Sequence, residues 1–320
     1  MIARRAFGRT GIEVSSCTFG TAALAGSDLM EAKAALSLAF ERGVNAVEVD
    51  AGDSASIDLL GGMLQREGAR DRMHVLARLT SLLPFDLPSP HVMVGQAYPG
   101  RQLRAETEAL LRQLGVERLG IAMLHAWCPE WLREGDWIET LDRLRQEGKI
   151  AGFGISLFDH DVDAGLEAVT SGLIDAVEVM YNIFDQGAAA ALFPLCQRHG
   201  VAVIARAPLY YGALAGANLA RGDWRAGYFY DAHRKETEAR AGRIAEPGEA
   251  ISDLALRFAQ SHPAVSTVAV GMRTRAQVEA NLRAFEQGPL DPEQQGSMAK
   301  HAWLCLSPHR AGSSAVGRTS

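Results

Sequence analysis

Short apolar runs of strand length alternate along the chain with longer segments whose apolar positions recur at helical spacing. The strand-like runs fall at 17–19, 46–49, 74–79, 119–124, 150–155, 176–180, 202–207 and 267–270. Helix-like stretches follow them near 29–42, 56–66, 102–114, 136–147, 160–171, 188–199, 248–261 and 275–285. Within one of these, Leu141 and Leu144 share a face and Gly148 supplies the stop. Eight strands, each followed by a helix and with no Pro/Ser-rich linker between them, predict a single (β/α)8 TIM barrel. A doubly wound sheet with a second domain would need a break in composition, and the chain has none. The barrel domain is expected to span 1–306, and the terminal SPHRAGSSAVGRTS (307–320) to be disordered.

Two further segments stand outside the repeat. RAFGRTGIEV reads as a hairpin ahead of the first strand, placed to plug the bottom of a barrel. The connection 208–246 is long and rich in Gly, Tyr and Arg, the profile of a lid or binding loop. Its Gly212 and Gly216 read as turn residues, and Asp223 and Arg225 as a latch. In such a barrel chemistry sits at the C-terminal ends of the strands. That rule selects the stretch from Glu48 through Asp50 to Asp53, then Arg78, His125 to Trp131, Ser156, Glu178, Arg206 and Gly271 onward.

Composition narrows the class. Of 320 residues 48% are hydrophobic, enough for a sizeable core, and the net charge of −6 comes without a basic stripe, which argues against nucleic acid as a partner. The four cysteines show no CxxC spacing, as in a reducing compartment. With no apolar leader and no run of membrane-spanning length, a soluble cytoplasmic protein is expected. Asp159, His160, Asp161 and Asp163 read as helix-capping residues rather than metal ligands, so no metal is expected.

Several segments together resemble the aldo-keto reductase family over about residues 5 to 285: FGRTGIEVS and FGTAAL, ERGVNAVEVD, LRQLGVERLGIAMLH, RQEGKIAGFGIS, EVMYNIFD, ARAPLYYGALAG and VGMRTRAQVEANL. The resemblance implies a barrel that binds NADP(H) without a GxGxxG turn and reduces carbonyls through an Asp, Tyr, Lys and His quartet. Glu48 stands at the position of the Asp, Asp53 at that of the Tyr and Arg78 at that of the Lys, and only His125 is retained. On the cofactor side the resemblance implies roles for Gly20, Thr21, Ser156, Glu178, Arg206, Leu209, Gly212, Gly271, Arg273, Gln277 and Asn281. Leu157 replaces an Asn, Glu178 a Gln and Arg206 an aromatic, so NADP(H) is expected to be held better at its adenosine end than at its nicotinamide.

These exchanges alter the chemistry. A carbonyl reductase needs a protonated donor beside the developing alkoxide, and a Tyr beside a Lys provides one. An ordinary Asp is ionised at neutral pH, and donates only if burial or a second carboxylate raises its pKa, a role open to Glu48 as the neighbour. An arginine cannot act as an acid. His125 and Asp53 are therefore the expected proton-transfer pair, with Glu48 and Arg78 setting their charge. Trp127, Trp131 and Tyr210 are candidates for lining the substrate pocket. Three functions follow: an NADP(H)-linked oxidoreductase on a small polar carbonyl or hydroxyl metabolite; a non-redox lyase, dehydratase or isomerase using His125 with Asp53 or Glu48; and a non-catalytic binding protein. Two arginines at the mouth would suit an anionic small molecule.

Overall fold

The computed structural model describes residues 1–24, 27–66, 69–83, 92–125, 127–215, 231–244 and 249–303. Strands β3 (Cys17–Gly20), β4 (Ala46–Asp50), β5 (His74–Leu79), β6 (Ile121–His125), β7 (Phe153–Ser156), β8 (Ala176–Met180), β9 (Ala202–Arg206) and β10 (Val265–Gly271) run parallel and close in chain order. Their near-continuous apolar sequences are those of strands buried on both faces. Around them lie α1 (Leu29–Glu41), α2 (Ser54–Arg66), α3 (Val94–Ala97), α4 (Gly100–Leu114), α5 (Trp137–Gln146), α6 (Leu166–Thr170), α7 (Leu192–His199), α8 (Asp231–Ala241), α9 (Ile251–Ser261) and α10 (Arg275–Glu286). The short α11 (Pro292–Met298) follows, opened by a capping box between Asp291 and Gln294. The fold is thus a (β/α)8 barrel.

Strands β1 (Arg4–Ala6) and β2 (Glu13–Ser15) pair antiparallel and cross the barrel's lower end. Phe7, Ile12 and Val14 pack from this hairpin onto Ala46, Leu76, Ile121, Met123, Ala176, Ile204 and Ala269 inside the barrel. Gly8 makes that approach possible. Its φ is +56°, and a Cβ there would lie 2.6 Å from both Ala202 N and Gly200 O. The Arg5 guanidinium donates to the carbonyls of Val265 and Gln260, and Arg9 pairs with buried Asp175 at 2.9 Å.

Some elements differ from the sequence pattern. The helix expected at 160–171 is a single 3-10 turn (Asp163–Gly165) leading into the short α6. His160 has φ +63° and its Nδ1 lies 2.7 Å from Asp185 Oδ2, which pins the chain in a turn. The 208–246 connection is not structureless: it holds the Tyr210–Ala215 turn and α8. Gly216, Asp223, Arg225 and the 307–320 tail fall outside the described residues. Among the described residues no helix is long and apolar enough to cross a membrane.

Candidate active site

Side chains alternate in direction along a strand, so residues two apart share a face. Ala46, Leu76, Met123, Ala176, Ile204 and Ala269 form the apolar layer over the hairpin. Two positions further up the same strands come Glu48, Arg78, His125, Glu178, Arg206 and Gly271. One polar layer therefore sits on one apolar layer at the C-terminal mouth, assembled from six strands by period alone.

Arg78 organises half of it. Its Nη2 lies 3.0 Å from Glu48 Oε1, its Nε 2.7 Å from Asp50 Oδ1, and its Nη1 3.7 Å from Glu178 Oε1. Asp50 and Arg78 are direct Cα partners across β4 and β5. Glu48 is 5% exposed and Glu178 0%, so solvent screens neither. Burial raises the Glu48 pKa well above the carboxyl range; Arg78 opposes this, while Glu178 and Asp50 reinforce it. Burial also acts to raise Glu178, but Arg78 and Arg206 outweigh it and leave that pKa lowered. Of the two, Glu48 holds its proton the more tightly and Glu178 is the readier to ionise.

His125, Ser156 and Glu178 form a row of Cα partners across β6, β7 and β8. His125 Nδ1 lies 3.1 Å from Ser156 Oγ, and the ring's other edge opens to the mouth. The close surround of protein, followed by the charge of Arg78, lowers the His125 pKa to about 4. The imidazole is neutral at pH 7. Tyr98, buried beneath the mouth, donates its hydroxyl to the His125 carbonyl and fixes the strand end.

Arg206 is held from two sides. Its Nη1 lies 2.5 Å from Asp159 Oδ1, and its Nη2 donates to the Leu157 carbonyl at 2.8 Å. The Tyr211 hydroxyl donates to the other Asp159 oxygen. This corner is set by backbone in the left-handed region, with φ +50° at Ala207, +44° at Tyr210, +53° at Tyr211 and +98° at Gly212. Three non-glycine residues there carry strain of the order of 1–3 kcal/mol each, which the surrounding packing must offset.

The structure corrects several expected placements. Asp53 is engaged at the start of a helix. Its oxygens accept from the Ser56 N–H at 3.2 Å and the Ser56 hydroxyl at 2.6 Å, so it caps α2. Trp127 and Trp131, at 1% and 0% exposure, do not line the mouth. Trp127 packs edge-on against both Trp131 and Trp137, and the Trp127 and Trp131 indoles donate to the carbonyls of Ala164 and Val92. Tyr210 is also turned inward, its ring 5.5 Å from that of Phe184, while its neighbour Tyr211 reaches Asp159. Neither Arg78 nor Arg206 stands ready as an anion clamp, because both already face carboxylates. Sequence reasoning gave Asp50 and Tyr211 no separate role and read Asp159 as a helix cap, whereas it pairs with Arg206 and Tyr211. Asp50 was signalled by its spacing of two from Glu48, whereas the other two depend on a turn that no pattern announces.

The remaining positions ring the rim. Gly20 pairs with Gly271 across β3 and β10, and Thr21 begins the next turn, buried. The Arg273 N–H donates to Gln277 Oε1 at 2.8 Å, Thr274 caps α10, and Asn281 is buried on that helix. Leu209 is half-buried, and its carbonyl accepts from the N–H groups of Gly212 and Leu214. Leu157 is in the core and points away from the mouth, beside Gly165. Among the described residues no three His, Cys, Asp or Glu side chains converge as a metal site.

The model of the Aldo/keto reductase family matches residues 17–302, nearly the whole barrel. The chain belongs to that family. Two curated relatives are of similar length. Pyridoxal 4-dehydrogenase of Microbacterium luteolum is 26% identical, over 89% of this chain and 93% of its own. L-galactose dehydrogenase of Arabidopsis thaliana is 25% identical, over 88% of each. Among solved structures, the holo form of aldo-keto reductase AKR11C1 from Bacillus halodurans superposes with a TM-score of 0.79 at 24% identity, covering 97% of this chain and 99% of that one. Family membership and relatives named as oxidoreductases make this an oxidoreductase fold in sequence as well as shape.

Proposed function

We propose that the protein is a nicotinamide-linked oxidoreductase that takes a small polar hydroxyl metabolite, or the corresponding carbonyl, and moves the proton through His125. The observation that carries this is the row Glu178, Ser156, His125. A buried carboxylate attracts the positive end of the Ser156 O–H dipole, so Ser156 Oγ accepts from His125 Nδ1–H. That fixes the tautomer and turns the Nε2 lone pair to the mouth, poised to accept a proton. Held neutral, the ring is in its base form throughout the physiological range. A substrate hydroxyl would give its proton to Nε2, and the resulting imidazolium would be stabilised through Ser156 by Glu178; the reverse direction returns the proton to the alkoxide.

The residues present fit a nicotinamide coenzyme. Buried polar atoms without a hydrogen-bond partner include Thr21 Oγ1, Arg206 Nε and both Glu178 oxygens. An unmet donor and unmet acceptors on neighbouring strands are what a carboxamide needs. Glu178 and Arg206 would take the nicotinamide end, and Gly271, Arg273, Gln277 and Asn281 the adenosine end, where the Arg273 guanidinium suits a 2′-phosphate. When bound, the coenzyme supplies or accepts the hydride. The protein's part is to orient the substrate hydroxyl on His125 and to keep a single proton-transfer group in reach.

The test is turnover of a panel of polyols, sugars and aromatic alcohols with oxidised coenzyme, followed by absorbance of the reduced ring. Activity that requires the coenzyme and disappears in His125→Ala supports the reading. Turnover of any substrate without coenzyme, or no coenzyme binding by calorimetry, overturns it.

A further inference from the structure

The polar layer is not electrically balanced. Arg78 is committed to Glu48 and Asp50, at 3.0 and 2.7 Å, and stands off Glu178 by 3.7 Å. Arg206 is committed to Asp159 and the Leu157 carbonyl. Four carboxyl groups, those of Glu48, Asp50, Glu178 and Asp159, face these two guanidiniums. Even with one of them protonated, negative charge is in excess. It resides most sharply on Glu178, which is fully buried and stands 3.7 Å from Arg78. A buried carboxylate so placed is costly unless something brings positive charge or donors to it.

We propose that Glu178 makes this site select the oxidised, positively charged nicotinamide over the reduced, neutral one. The inference rests on the nicotinamide-linked reading given above and adds to it a redox preference set by one side chain. The two states of the coenzyme share their adenosine, phosphates and carboxamide, so contacts to those parts cancel in the comparison. What differs is one charge on the ring. The ring's carboxamide partner here is an anion, where the family resemblance expects a neutral Gln. A charge a few ångströms from a ring shielded from water discriminates strongly, whereas an amide does not. The protein would then draw oxidised coenzyme from a mixed pool and release the reduced form readily.

Calorimetric or fluorescence titration of the wild type and of Glu178→Gln with NADP+, NADPH, NAD+ and NADH tests this, with 2′,5′-ADP as a probe that lacks nicotinamide. The wild type should bind the oxidised form at least about tenfold tighter than the reduced form of the same coenzyme, given charge interactions of this range in a protein interior. In Glu178→Gln the ratio should fall towards unity while 2′,5′-ADP affinity is unchanged. A wild-type ratio of one or less overturns the proposal, as does a ratio that persists in the variant. If both redox states bind equally, only the charge-selection proposal falls; if neither binds, the nicotinamide reading falls with it. The wild-type ratio decides by itself should the variant fold poorly.

Discussion

His125 Nδ1 and Ser156 Oγ lie 3.1 Å apart, on residues that are Cα partners across two strands, and this bond decides which edge of the imidazole faces a substrate. Removing the bond frees the ring to take the other tautomer. Ser156→Ala should lower kcat/KM roughly tenfold, the value of one oriented hydrogen bond. His125→Ala should lower it by at least about 10²-fold, in the range of lost general base catalysis. Since folding depresses this pKa to about 4 from the ordinary 6.5, the wild-type rate of hydroxyl oxidation should rise with pH near 4 and be level above it. An acid limb centred near the ordinary value would show that His125 is not the base.

Glu48 should hold its proton to higher pH in the native protein than in the unfolded chain. A carboxyl whose pKa folding raises contributes stability that is fully present below its unfolded pKa and is lost as pH rises through the folded one. Melting temperatures of the wild type should therefore fall relative to Glu48→Gln as pH increases from acidic to alkaline. Infrared spectroscopy should find a protonated carboxyl band that persists to higher pH than an ordinary glutamic acid's and is missing from the variant. A pH-independent difference in melting temperature would contradict this.

Arg78 carries the charge balance of three carboxyl groups. Arg78→Met would take from buried Glu178 one of the two guanidiniums that hold it ionised, a loss of up to about 3–5 kcal/mol by analogy with broken buried ion pairs. The destabilisation should shrink as pH falls, because without the guanidinium Glu178 takes up a proton more easily and the folded state gains from it. Arg78→Lys should recover only part, since an ammonium cannot span Glu48 and Asp50 as a planar guanidinium does. Denaturant melts at acidic and neutral pH measure both effects.

Asp53 caps α2 in this structure. Asp53→Ala should cost about 1 kcal/mol of stability through the lost cap and leave kcat within a few-fold of wild type. A loss of about 10²-fold in rate would return it to a proton-transfer role.

The barrel was legible because its strands are apolar runs and its helices keep their period; neither signal depends on distant contacts. Glu48, Arg78, Glu178 and Arg206 were legible for the same reason, each lying two residues beyond an apolar lumen residue on its strand. The capping contact of Asp53 was not legible because position in an alignment does not say whether a carboxylate turns to the mouth or back to a helix N-terminus. Trp127 and Trp131 were misread because loop aromatics look alike whether they line a pocket or fill the space beneath it. The Asp159–Arg206–Tyr211 corner was illegible: it depends on left-handed backbone at Ala207, Tyr210 and Tyr211, which those residue types disfavour and only tertiary packing imposes.

Phe7, Ile12 and Val14 seal the lower end of the barrel, with an apolar layer directly above them. The acids of the polar layer therefore exchange protons with bulk water through the mouth, past His125. A ligand seated over the mouth would close that route, and the protons present at the moment of binding would be the protons present during reaction. In the liganded protein the layer would behave as a charge store of fixed content, loaded between turnovers and isolated within each one.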